Sequence, residues 1–134
     1  MDRPPIGAKE GKVWGVTQPI FAWNDTEAHF IRVDAGYRCS NHMHRHKHNR
    51  FFVIAGRLKI VVTQEDGTID ETVLGPNQIT DVPPGVYHRF ESLENSVAVE
   101  FYWVGLDPGD IVRRDAGEKL ETSADEKNMQ GEIW

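Results

Sequence analysis

Short apolar runs that alternate with polar residues, broken at intervals of roughly ten residues by Gly, Pro or Asn, restrict the fold of this 134-residue chain most. A period of two is the mark of strands that bury one face, and no segment sustains a helical period. KVWGVT and PIFAW carry Trp14 and Trp23 as large anchors, and AHFIRV ends at the Asp34-Ala35-Gly36 turn. RFFVIA leads through Gly56 into RLKIVVTQ, in which Leu58, Ile60 and Val62 share one face. Glu65-Asp66-Gly67 is a hairpin signal, and TIDETVL returns with Ile69 and Val73 on one side. Beyond the Gly75-Pro76-Asn77 turn come QITDVP, Pro84-Gly85 and VYHRFESL, where His88, Phe90 and Ser92 share a face. SVAVEFYWV is the most β-prone run, with Val97, Val99, Phe101 and Trp103 on one side and Ala98, Glu100 and Tyr102 on the other. A further short strand is expected around Ile111-Val112. The pattern predicts an antiparallel sandwich or barrel.

The strongest chemical signal lies between Gly36 and Gly56, where His42, His44, His46 and His48 alternate with Met43, Arg45 and Lys47. On an extended strand all four imidazoles would face one side. Imidazole is the commonest protein ligand for transition metals, and a His-x-His pair presents two nitrogens to one ion. A plainer reading is a solvated basic edge that deters sheet-to-sheet pairing. Against it, the apolar FFVIA follows directly, as expected of a core strand. His88 stands in a second cluster, VPPGVYHRF, which leaves His29 alone outside the two.

The length fits one domain with a real core. With 39% hydrophobic and 27% charged residues the chain reads as a soluble globular protein, and no run approaches the ~18 apolar residues of a membrane span. The opening MDRPPIGAKEG lacks the apolar centre of a signal peptide, and the single Cys39 allows no internal disulfide; both point to the cytoplasm. A net charge of −6 argues against a nucleic-acid partner. Arg38, Arg45, Lys47, Arg50, Arg57 and Arg89 nevertheless lie close in sequence to the histidines, as a small anionic ligand would require. Exposed strand positions would give the same pattern. From Asp115 onward two lysines face six acids, so 115–134 reads as an acidic surface tail, with 1–114 forming the barrel and its N-terminal arm.

Two spaced motifs carry a family resemblance. Gly36, His42, His44 and Gly56 fit the first cupin motif, whose Glu position falls on Asn49. Pro83, Gly85 and His88 fit the second, with Asn77 standing for its Gly and Ser92 for its Asn. The chain thus resembles the cupin superfamily over roughly residues 28–104, which implies a single all-β domain, a double-stranded β-helix of the jelly-roll kind. HRHKHNRFFVIAG, PNQ at 76–78, PPGVYHR at 83–89 and DIVR at 110–113 are similar to the C-terminal cupin domain of type II phosphomannose isomerases, with Asp115 one residue early for the acid that closes the pattern.

The resemblance implies one divalent ion, zinc, iron, nickel or manganese, held by His42, His44 and His88. Asn49 offers only a carbonyl oxygen where a carboxylate is usual, and three arrangements stay open. Water fills the remaining positions, His46 or His48 joins, or the site is weak. It also implies a sugar or sugar-phosphate ligand, with Glu100 as the candidate base if its strand face is buried rather than exposed. Arg89 or Lys47 would hold a phosphate, and Phe90, Phe52 and Tyr102 would wall the pocket. Two other functions remain alternatives: an iron-dependent dioxygenase with an all-histidine site, and a binding module without catalysis. A homodimer through sheet extension is expected by family.

Overall fold

The computed structural model describes residues 5–104. The strand expected near Ile111, the DIVR match, Asp115 and the acidic tail lie outside the described residues, as do positions 1–4 of the arm. Nine strands follow in order: β1 (Glu10–Lys12), β2 (Gly15–Trp23), β3 (Thr26–Val33), β4 (His48–Ala55), β5 (Leu58–Thr63), β6 (Ile69–Leu74), β7 (Ile79–Val82), β8 (Tyr87–Ser92) and β9 (Ser96–Trp103). They form a six-stranded sheet in the order β1-β2-β3-β9-β4-β7 and a three-stranded sheet in the order β6-β5-β8, every pair antiparallel. This is the all-β jelly roll that the strand pattern and the family likeness predict. Glu10–Lys12 pairs with β2, so the N-terminal segment joins the large sheet from Glu10 onward.

The two inner faces enclose one core of Ile31, Val33, Phe51, Val53, Leu58, Ile60, Phe90 and Ala98. Alternation sets which side chains meet there, and polarity then changes along each strand on the same inner face. On β9 Ala98 gives way to Glu100 and Tyr102, and on β3 Val33 and Ile31 give way to His29 and Glu27. On β4 Val53 and Phe51 lead to Asn49, and on β8 Phe90 leads to His88. One end of the barrel is therefore dry and the other is chemical.

Sequence alternation located the strands but not always their burial. Ile69 and Val73 share a face as expected, yet it is the outer face of the small sheet and both are exposed. Arg89 is on that outer face too, since it neighbours the inward His88. There its Nε donates to Glu91 at 2.7 Å, and Lys59 reaches Glu91 and Glu71 at 3.6 and 3.8 Å. This ion-pair cluster surrounds Val61, whose cross-strand partners are Arg89 and Glu71 and which is 1% exposed.

Gly56 ends β4 at φ +89°, and a Cβ there would lie 2.4 Å from the Asn95 carbonyl oxygen. Both the left-handed backbone and the close approach exclude a side chain. Gly56→Ala is expected to lower unfolding free energy by ~1–3 kcal/mol, read as a lower urea midpoint with an unchanged slope.

Candidate metal centre

The segment 36–42 runs beside β8 as an extended strip. Gly36 and Cys39 donate backbone N–H groups to Ser92 and Phe90 at 2.9 and 3.2 Å. His42 and His88 exchange both backbone hydrogen bonds, at 3.0 and 2.8 Å, so they are direct cross-strand partners with rings on one side. His44 is held next to them by its carbonyl, which accepts from the Gly85 N–H at 2.8 Å. Ring centroids of His42, His44 and His88 stand 4.6 to 5.3 Å apart, and one nitrogen of each lies within 4.8 Å of the others. Small ring rotations close that spacing onto one ion with ~2 Å bonds.

The ring hydrogen bonds select the tautomers. His42 Nδ1 lies 2.8 Å from the Ser40 carbonyl and His88 Nδ1 3.2 Å from that of Val86. A carbonyl only accepts, so each Nδ1 carries its proton and each Nε2 keeps a lone pair for an ion. Burial holds the His88 imidazole down at about 4 from its usual 6.5, and lowers His44 in the same way, so these rings are neutral at pH 7.

Among the described residues, three buried side-chain atoms have no hydrogen-bond partner: His44 Nε2, His88 Nε2 and Asn49 Oδ1. Asn49 points inward from β4, its Nδ2 donating to the Phe101 carbonyl at 3.2 Å. Its cross-strand partner is Tyr102, whose ring packs 5.2 Å from that of His44. Each unmet atom costs about 1–3 kcal/mol. Three together are a large fraction of a marginal stability of ~5–15 kcal/mol. A cation accepted by all three removes that cost, so the donor set fits a metal.

The four imidazoles do not share a face as the alternation predicts. A bend at Arg45–His46 interrupts the extended chain before β4 begins at His48. His46 is exposed, and His48 faces outward, stacked on Trp103 at 5.3 Å between centroids. Neither joins the three-histidine group.

The histidines open onto a cavity of about 850 Å³ lined by both His42 and His44. Lys47, Phe90, Glu100 and Tyr102 line it as well. Arg89 and Phe52 do not: the first is in the outer ion-pair cluster, and the second faces outward beside Ile79. Glu100 is 8% exposed, and burial pushes its carboxyl up to about 7 from an ordinary 4.5, while a hydrogen bond from Tyr102 opposes the shift. The same burial, together with the Glu100 charge, raises the Tyr102 hydroxyl.

His29, Glu27 and Cys39 also line the wall. His29 is the cross-strand partner of Glu100, and its Nε2 sits 3.2 Å from Glu27 Oε2. Lys47 reaches the other Glu27 oxygen at 3.9 Å. Cys39 also lines the cavity, a thiol pushed up to about 11 by burial. The β3–β9 register brings His29 and Glu27 here, and no local motif encodes it. The mouth is framed by Glu10, Lys12, Val13 and Trp14 from the first strand and its turn.

A cupin domain profile matches residues 29–105. Among solved structures, KdgF from Halomonas sp. is similar at a TM-score of 0.64 and 15% identity, over 74% of this chain and 89% of that one. Oxalate decarboxylase of Bacillus subtilis, which has Mn(II) centres, is similar at 0.67 and 15%, over 73% of this chain and 27% of that one. CapF is similar at 0.63 and 23%, over 75% and 31%. At these identities the likeness is one of fold, and this chain spans under a third of the latter two. A search of curated proteins gave no match. These matches fit the family at large and do not single out phosphomannose isomerases.

Two outcomes follow. His88→Gln is expected to lower bound metal from about one ion per chain to less than a tenth, measured by elemental analysis of untagged protein. In metal-free protein the Glu100 acid form contributes stability that is complete below pH 4.5 and lost as pH rises through about 7. Metal-free Glu100→Gln should therefore melt higher than wild type above pH 7, with no gain at pH 4.5 from this cause.

Proposed function

The chain belongs to the cupin domain family, and from that premise we propose that it is a metal-dependent protein that binds a small anionic, sugar-like molecule and moves a proton on it, as a sugar-phosphate isomerase does. One observation carries the reading: Glu100, a buried carboxyl, lines the same cavity as His42 and His44. His42, His44 and His88, with Asn49 Oδ1 facing the same interior, would hold the ion. When bound, the ion supplies Lewis acidity toward a ligand oxygen.

The chain's own residues do the rest. Glu100 Oε is the atom that accepts and returns the proton, and the burial that raises its carboxyl in the metal-free protein makes it a stronger base than an exposed carboxylate. Tyr102 donates to it and fixes its direction. Among the cations that line the cavity, Lys12 and Lys47 are paired with Glu10 and Glu27. Arg38 makes no ion pair among the described residues, so it is the side chain we assign to the ligand's anionic group. The similarity to phosphomannose isomerases at 76–78 and 83–89 supports a sugar phosphate. An all-histidine donor set without a carboxylate favours the second reading, an iron-dependent dioxygenase.

The test is interconversion of mannose 6-phosphate and fructose 6-phosphate by protein loaded with manganese, zinc, nickel or iron. Glu100→Gln is expected to lower kcat 10²- to 10⁴-fold with metal content unchanged. Arg38→Gln is expected to raise KM for the phosphorylated sugar at least tenfold and leave the unphosphorylated sugar unaffected. Oxygen uptake by the iron-loaded protein without isomerisation would transfer the assignment to the second reading. Tight binding without turnover under every metal would leave a binding module.

A further inference from the structure

We propose that His29, aimed by Glu27, is a second proton-carrying group of this cavity and serves the ligand's oxygens while Glu100 serves its carbon. The inference rests on the isomerase reading. In that reaction Glu100 takes the proton from C2 and returns it to C1. The C2–H electron pair passes through a C1–C2 double bond into the new C1–H bond. A second proton must leave the C2 hydroxyl and end on the C1 oxygen. Lewis acidity polarises an oxygen without moving a proton, and Glu100 already holds the one from carbon. A second side chain with a lone pair is needed.

The β3–β9 register supplies one. His29 is the cross-strand partner of Glu100, and Glu27 that of Tyr102, so all four line the cavity from one sheet face. Opposed residues on a face stand ~5 Å apart at Cβ, which puts one small ligand within reach of both Glu100 and His29. The Tyr102 ring meets His29 and His44 edge-on, at 5.7 and 5.2 Å between centroids, and ties the pair to the three-histidine cluster. Glu27 Oε2 lies 3.2 Å from His29 Nε2, and Lys47 Nζ lies 3.9 Å from Oε1, so Glu27 is an ion-paired carboxylate. A carboxylate only accepts; Nε2 therefore carries the ring proton and Nδ1 keeps its lone pair. The His29 and Glu27 side chains are 19% and 16% exposed, too enclosed for a solvated surface pair. Nδ1 takes the C2 hydroxyl proton, the Glu27 charge steadies the imidazolium, and Nδ1 gives the proton to the C1 oxygen, which restores the neutral ring. No oxidant or further reactant enters. Glu27 acts through His29 and is a positioning residue.

The test runs the isomerisation of mannose 6-phosphate in deuterium oxide with metal-loaded full chain. His29→Asn and the longer His29→Gln should each lower ketose formation at least ~10²-fold, with circular dichroism and metal content as in wild type. Deuterium entry at C2 of the recovered aldose should fall less than tenfold in both, because Glu100 still exchanges the carbon proton. Glu100→Gln should lose both. Glu27→Gln should lower kcat about tenfold with KM unchanged. A second readout needs no turnover: nitrogen NMR of the metal-free chain should show the neutral His29 ring protonated on Nε2, and Glu27→Gln should shift that balance toward Nδ1. The inference is overturned by kcat within twofold of wild type in the His29 variants, by a rise in KM alone, or by exchange and isomerisation falling in equal proportion. A wild-type ring protonated on Nδ1 overturns it too. Wild-type protein without turnover under every metal is a separate result: it removes the isomerase reading and takes this inference with it.

Discussion

Two backbone hydrogen bonds between His42 and His88 join the halves of this site. They fix residues 46 positions apart in sequence as cross-strand neighbours, so the rings converge because the main chains do. The Gly85 amide then holds His44 by its carbonyl, and the turn before β8 serves as the clamp on the His-x-His segment. Ring direction follows from the Ser40 and Val86 carbonyls, which occupy Nδ1 and leave Nε2 facing inward. The three-histidine cluster is thus a by-product of sheet pairing, with its side chains oriented by the main chain.

Asn49 changes the charge of that centre. A divalent ion held by His42, His44, His88 and Asn49 Oδ1 would keep its full +2, whereas a carboxylate would cancel part of it. Such an ion would attract an anionic ligand, and Glu100 on the same cavity wall would feel its field. The raised carboxyl therefore describes the metal-free protein, and an ion bound nearby acts to lower it again.

The strands were legible because alternation and turn residues are local, and the convergence of His42, His44 and His88 because two spacings agreed with one family. The face of each residue next to a known one was legible too: parity alone sets Arg89 opposite His88. Alternation failed between His44 and His48, where the bend at Arg45–His46 resets the count before β4. His29 and Glu27 were beyond sequence reasoning, since their place depends on β3 pairing with β9 at one register out of several. The outer sheet face needed the same knowledge, because SVAVEFYWV is apolar on both sides and only pairing tells which side is inner.

The rim of the cavity is supplied by Glu10, Lys12 and Val13, on or beside a three-residue edge strand with every side chain exposed. That strand adds nothing to the packed interior. Side-chain changes there leave the core contacts untouched while altering the rim that a ligand would cross. A chain built this way separates the inheritance of its scaffold from that of its selectivity, and new ligand preferences can arise at its first strand while the ion-holding interior stays as it is.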